Sequence, residues 1–311
     1  MVTRRNLAPV FLVAALLGCS AGGPLEAPGP REGNSDGLQA ADGTTLAVSR
    51  WPAARPEAIL IAVHGFGDYG PSTFARAAQY WADAGITTIA YDQRGFGRNQ
   101  SRGYWPGAEA LVNDLRGVVG QVRAQQRCLP VMVLGHSMGG GVALAAAPDL
   151  EVDGLILAAP AIWGGTEFNP LHRIAAWTAA SLVPERRFTG EGVVKIQASD
   201  NIDMLRGLGR DPLYLRPPSA REIWGLVRVT DLAATASARV QQPSLLLLGA
   251  KDQILPQAAV LRVYDRLSGP GEEIIYEDGW HLLFRDLQAE RVWRDVRDWV
   301  RARPDGKPCA S

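Results

Sequence analysis

Histidine, cysteine and methionine are scarce in this chain of 311 residues, at four, three and four copies. An excess of either charge is lacking too, with 32 basic and 32 acidic residues. Removing Arg4 and Arg5 with a leader would leave 30 basic against 32 acidic, so no nucleic acid or other polyanion is expected as a partner. No internal apolar run approaches the length of a membrane span, and no fixed-period repeat points to a solenoid. No His, Cys, Asp or Glu grouping has the spacing of a ligand set, so neither a metal nor another cofactor is expected. What is present is a body 47% hydrophobic, enough for one large α/β domain or two modest ones.

The first stretch places Arg4 and Arg5 before an apolar run over 7–17, the layout of an export signal over 1–18. Leu16-Leu17-Gly18-Cys19 resembles a bacterial lipoprotein box, which implies cleavage before Cys19 and lipid attachment to its sulfur; an ordinary secretory leader is the alternative. The paired arginines partly match a twin-arginine signal, with the Sec route as the default. Residues 19–37 are rich in Gly and Pro and read as a tether behind the lipid. The expected location is the bacterial envelope, lipid-anchored at the outer membrane and facing the periplasm, or secreted if Cys19 stays free. Cys128 and Cys309 then remain, and both fall where the sheet turns away from the active edge. A disulfide between them is an open expectation in an oxidising compartment.

Short continuous apolar runs at 58–63, 131–134, 154–159 and 243–248 read as strands buried on both faces, with further strands at 86–91 and, last, at 273–276. Helical patterns separate them, which demands a largely parallel sheet with right-handed crossovers. Asp42-Gly43 marks a hairpin that begins the sheet as an antiparallel edge. Between 163 and 229 the strand rhythm stops, and helical patterns, prolines and aromatics replace it. This segment reads as a helical cap inserted into a core of 38–162 and 230–303, with a tail at 304–311.

Gly135-His136-Ser137-Met138-Gly139 follows the 131–134 strand directly, and small residues suited to a helix follow it. G-x-S-x-G at a strand-to-helix turn lifts the serine hydroxyl over the sheet edge and puts the next amide at the positive end of a helix. Ser137 is thereby a candidate nucleophile and the Met138 N–H a candidate oxyanion donor. His64-Gly65-Phe66, after the 58–63 strand, offers the Phe66 N–H as the second donor.

A serine needs a base and an orienting acid. Of the four histidines, His136 adjoins the serine and points away from it, His64 belongs to the oxyanion loop and His172 to the cap. His281, after the last strand, is left as the base. Asp252, just after the 243–248 strand, is the candidate acid, and Asp278 the competitor on the histidine's own turn.

HGFGD, DQRGFG, GHSMGG, LGAKD and GWH together resemble the monoglyceride lipase and lysophospholipase branch of the α/β-hydrolases, also named for serine aminopeptidases. The resemblance covers about 38–303. It implies an α/β-hydrolase fold with a mostly parallel eight-stranded sheet, helices on both faces and a helical cap after strand 6. It also implies Ser137, Asp252 and His281 as catalytic residues with Phe66 and Met138 as oxyanion donors. Tyr69 stands where a histidine is frequent, and Phe96 and Asn99 replace a usual His and Ser. The aromatic cap and tether favour a monoacylglycerol or lysophospholipid as substrate, the membrane being met through the lipid anchor. An aminopeptidase, thioesterase or perhydrolase would use the same triad, and a silent binding module on this scaffold is a further alternative. A peptidase would need fixed carboxylates, for which Glu167, Glu185, Asp200 and Asp203 are candidates in the cap. Oligomeric state is not readable from these residues.

Overall fold

The computed structural model describes residues 37–188, 196–214 and 217–303. The leader, Cys19, the tether and the tail with Cys309 lie outside the described residues. Cys128 is disulfide-bonded, and both other cysteines of the sequence, Cys19 and Cys309, lie in those outer stretches.

Seven strands form the main sheet: β3 (Val48–Trp51), β4 (Ala58–Val63), β5 (Ile86–Tyr91), β6 (Val131–His136), β7 (Gly154–Ala158), β8 (Ser244–Gly249) and β9 (Gly271–Tyr276). Their order is β3-β5-β4-β6-β7-β8-β9, with β3 antiparallel to β5 and every other pair parallel. Every residue of β4, β6, β7 and β8 is buried, which is why these strands read as unbroken apolar runs. Each large aliphatic side chain so removed from water contributes about 1.5–3 kcal/mol.

Among the described residues the main sheet has seven strands rather than eight, and β1 (Leu38–Gln39) and β2 (Thr45–Leu46) form a separate hairpin around Gly43, whose φ is 82°. Gln121 of the helix α2 (Ala108–Gln125) explains the separation. Its side-chain oxygen accepts the Gln39 N–H (3.3 Å) and its amide nitrogen donates to the Gln39 carbonyl (2.6 Å), so β1 bonds to a helix instead of a further strand.

Right-handed crossovers assign the remaining helices to faces. The chain steps from β4 to β5 in one direction and from β5 to β6 in the other, so α1 (Gly70–Asp83) and α2 lie on opposite faces of the sheet. α3 (Met138–Ala146) and α6 (Ala220–Ala236) share the α2 side. α7 (Gln257–Tyr264) leads to β9, and α8 (Ala289–Arg301) returns to α1, where the Trp81 indole N–H donates to the Trp293 carbonyl at 2.9 Å.

The segment between β7 and β8 contains α4 (Pro170–Leu182), α5 (Ile202–Leu208) and the whole of α6. Its 229/230 limit, as read from sequence, falls inside α6. Ala220 and Ile223 of that helix pack with Ala176 and Phe188, whereas Val229 and Ala233 belong to the main core. One continuous helix therefore serves both parts. A capping box starts it, Ser219 Oγ accepting from Glu222 N and Glu222 Oε2 from Ser219 N.

Candidate active site

Carboxyl ends of parallel strands converge on one edge, where the loops after β4, β6, β8 and β9 meet. β6 ends in a turn that only glycine-rich sequence can make. Ser137 has φ 53° and ψ −120°, a conformation costing about 1–3 kcal/mol that its surroundings must impose. They do so through the Ser137 backbone. Its N–H donates to the Ala158 carbonyl (3.0 Å), and its carbonyl accepts from Gly140, Gly141 and Ala161 (2.9, 3.2 and 2.8 Å). A side chain on Gly135 would overlap the Gly139 carbonyl, and one on Gly139 would overlap the carbonyls of Val63 and His64. The two glycines thus let the turn close against β4.

The Ser137 hydroxyl stands 3.0 Å from His281 Nε2, and His281 Nδ1 lies 2.8 Å from Asp252 Oδ2. Both members of the His281–Asp252 pair have nearly inaccessible side chains. The second Asp252 oxygen accepts the amides of Ile254 (2.7 Å) and Leu255 (3.1 Å). Burial works against ionisation of Asp252, but His281 and these two amides outweigh it and hold the carboxyl below its ordinary range. Its charge favours the Nδ1–H tautomer of His281, leaving the Nε2 lone pair toward the serine. Asp278, the competing acid, is exposed and bonds Lys251 Nζ at 2.8 Å.

Met138 opens α3, so its amide has no intrahelical acceptor, and Phe66 follows Gly65 in the loop after β4. Neither amide donates to an acceptor among the described residues. A Cβ on Gly65 would lie 3.1 Å from that of Ser137, which places this loop directly against the serine. His64 fixes the loop from beneath. Its Nδ1–H donates to the Gly65 carbonyl (2.8 Å), and its Nε2 accepts the Gln93 N–H (2.7 Å). Burial pushes the His64 imidazole to a lower pKa and keeps this pattern neutral. Phe96 packs edge-on against Phe66 with ring centroids 5.3 Å apart, and Asn99 bonds the carbonyls of Asp92 and Gln93.

Several polar residues around the site carry no signal in local sequence. Arg285 bonds Asp68 at 2.6 Å, Ser199 bonds Asp286 at 2.6 Å, and Tyr69 bonds Asp211 at 2.6 Å. Asp68 and Tyr69 sit in a glycine-rich motif, and Arg285 and Asp286 in the turn that holds His281, but their partners are remote. The four carboxylates of the segment between β7 and β8 are also engaged. Glu167 pairs with Arg262 and Arg266, Glu185 with Arg221, Asp203 with Arg206, and Asp200 accepts the Leu287 amide. Among the described residues no group of three or more His, Cys, Asp or Glu could hold a metal ion.

Comparison with known proteins adds a lineage to this geometry. A family model described as serine aminopeptidase, S33, matches residues 54–288. The monoacylglycerol lipase of Mycolicibacterium smegmatis is 27% identical over 270 residues, covering 83% of this chain and 93% of its own. A phospholipase of Bacillus subtilis is 23% identical over 253 residues, covering 79% and 96%. The crystal structure of Paleococcus ferrophilus monoacylglycerol lipase aligns with a TM-score of 0.71 at 18% identity, over 83% of this chain and 99% of that one. It shows that the fold is that of the α/β-hydrolases. With a family model matched over most of its length, the chain belongs to the serine aminopeptidase S33 family of α/β-hydrolases.

Proposed function

We propose that this protein is a serine hydrolase that cleaves carboxylic esters of lipids, a monoacylglycerol or a lysophospholipid, through an acyl-enzyme on Ser137. The observation that carries the reading is the hydrogen-bonded series Ser137–His281–Asp252 beside the two unengaged amides of Phe66 and Met138. His281 Nε2 takes the hydroxyl proton as Ser137 Oγ attacks the ester carbonyl carbon, and the Phe66 and Met138 amides hold the oxyanion. The imidazolium returns that proton to the departing alcohol. Water, deprotonated by the same His281, then attacks the acyl-enzyme and releases the fatty acid.

A lipid substrate is supported by the relatives named as monoacylglycerol lipase and phospholipase. It is also supported by the exposed Leu171, Ile174, Trp177 and Leu182 of α4, an apolar group suited to an amphiphile. Engagement of Glu167, Glu185, Asp200 and Asp203 with other groups weighs against an amine-binding role for them. The same reading makes 163–229 a cap, Cys19 a lipid attachment point and the periplasmic face of the outer membrane the site of action.

The test is hydrolysis of a long-chain monoacylglycerol, a lysophosphatidylcholine and an aminoacyl amide by the wild type and Ser137→Ala. Fatty acid should be released from one or both lipids and not by the variant. Turnover confined to the aminoacyl amide would refute the substrate class, and an active Ser137→Ala would refute the mechanism.

A further inference from the structure

His281 sits on a turn between the end of β9 at Tyr276 and the start of α8 at Ala289. No strand ladder or helix sets its backbone, so other contacts must. Besides the bonds that the Leu282 carbonyl accepts within the turn from the Arg285 and Asp286 amides (2.7 and 3.0 Å), three hydrogen bonds hold the consecutive residues 280, 281 and 282. The His281 carbonyl accepts from His136 Nε2 (3.0 Å), the Trp280 N–H donates to Asp286 Oδ2 (2.8 Å), and the Leu282 N–H donates to the Ala198 carbonyl (3.0 Å). The first bond comes from the serine turn, the second from the histidine's own turn, and the third from the segment inserted between β7 and β8.

The second bond depends on that inserted segment as well. Asp286 is 3% exposed, and its other oxygen accepts the Ser199 hydroxyl at 2.6 Å. Ser199 is wholly buried, and its Oγ also accepts the Asn201 N–H at 3.2 Å. Asn201 Nδ2 donates to the Arg285 carbonyl (3.0 Å), and Asp200 Oδ1 accepts the Leu287 N–H (2.9 Å). Residues 198–201 therefore run beside 280–287 and bond to it at four places. The neighbouring cation, Arg285, turns to Asp68, so Asp286 is oriented by neutral donors. Burial without a cation pushes its carboxyl to a higher pKa, a cost that an apolar residue would avoid.

We propose that Asp286, braced by Ser199, is a positioning residue for His281, so that residues 198–201 of the inserted segment help assemble the catalytic base. This inference rests on the reading of His281 as the base. Asp286 touches no reacting atom; it sets the Trp280 amide, and through it the direction of the imidazole toward Ser137 Oγ. Displacement of a reacting group by about 1 Å can cost about 100-fold in rate.

The experiment measures kcat and KM for p-nitrophenyl butyrate and the rate of fluorophosphonate labelling, with thermal melting as a check on folding, in the full chain. Asp286→Ala should lower kcat and the labelling rate by about 100-fold while KM moves less than about two-fold. Asp286→Asn keeps an acceptor for Trp280 and can donate to Ser199, so it should recover most of the lost kcat. Ser199→Ala should lower kcat by about ten-fold, and it decides the matter if Asp286→Ala does not fold.

Wild-type kcat in folded Asp286→Ala or in Ser199→Ala would overturn the proposal. So would a rise in KM at constant kcat, or failure of Asp286→Asn to recover the loss. An active Ser137→Ala would instead remove the reading beneath it, whereas an inactive Ser137→Ala beside an unaffected Asp286→Ala would remove this inference alone.

Discussion

Arg285 and Asp68 form a buried ion pair, Nη2 to Oδ2 at 2.6 Å, that ties the turn bearing His281 to the loop bearing Phe66. Arg285 Nη1 extends the tie to Ser72 Oγ at 2.9 Å. Two loops far apart in sequence are thereby held in one geometry around Ser137.

Removing one partner leaves the other charge buried, which costs about 3–5 kcal/mol. Asp68→Asn should lower the unfolding free energy by an amount of that order at neutral pH. Burial alone would raise the Asp68 pKa, but the Arg285 guanidinium, helped by the Tyr69 amide and the Ser72 hydroxyl, outweighs it and holds it below 3.8. A carboxyl depressed in the native state contributes stability above its unfolded pKa and loses it as the pH falls through the native value. Urea unfolding should therefore show a full gap between wild type and Asp68→Asn at neutral pH and a narrowing gap below about pH 3.8. A gap independent of pH would contradict the assignment.

Asp252→Asn should leave the fold intact and lower kcat by about 10⁴-fold, because an amide no longer favours the Nδ1–H tautomer of His281. Steady-state kinetics on a soluble ester, with melting temperature as control, checks this. Asp278→Asn removes only an exposed bond to Lys251 and should change the unfolding free energy by less than about 1 kcal/mol.

Glycine substitutions separate a required close approach from an incidental one. Gly139→Ala forces a methyl group against the Val63 and His64 carbonyls and should cost about 1–3 kcal/mol, with loss of activity. Gly120→Ala meets nothing within 4 Å in the middle of α2. It should raise the unfolding free energy by about 0.5–1 kcal/mol with activity retained.

Tyr69→Phe deletes the hydroxyl that donates to Asp211 at 2.6 Å. Together with the bond from Arg102 Nη1 to the Pro212 carbonyl at 2.9 Å, it fastens 211–212 to the main domain. Limited proteolysis should cut the variant faster near this point. The lost bond to a charged acceptor is worth about 1.5–3 kcal/mol, and an unchanged cleavage rate would show that Tyr69 is no fastening.

The meeting of Ser137, Asp252 and His281 is legible because each follows a recognisable strand of one parallel sheet, and parallel strands deliver their C-terminal residues to one edge. The glycines around Ser137 announce the sharp turn in the same way. Ser199 and Asp286 are 87 positions apart, and Arg285 and Asp68 are 217 apart. Periodicity marks faces of elements and says nothing about which polar residues on loops will pair, so such contacts stay hidden. The strand count differs for a related reason: pairing of the two-residue β1 is decided by Gln121 on a helix. The inserted segment's end is blurred because α6 keeps one amphipathic pattern while it passes from one packing partner to another.

The most direct test of the central claim is reaction of the protein with a fluorophosphonate, followed by peptide mass spectrometry. The account predicts one adduct per chain, on Ser137, abolished in Ser137→Ala and slowed in Asp252→Asn. Folded protein that takes no label, or takes it equally well without Ser137, would contradict it.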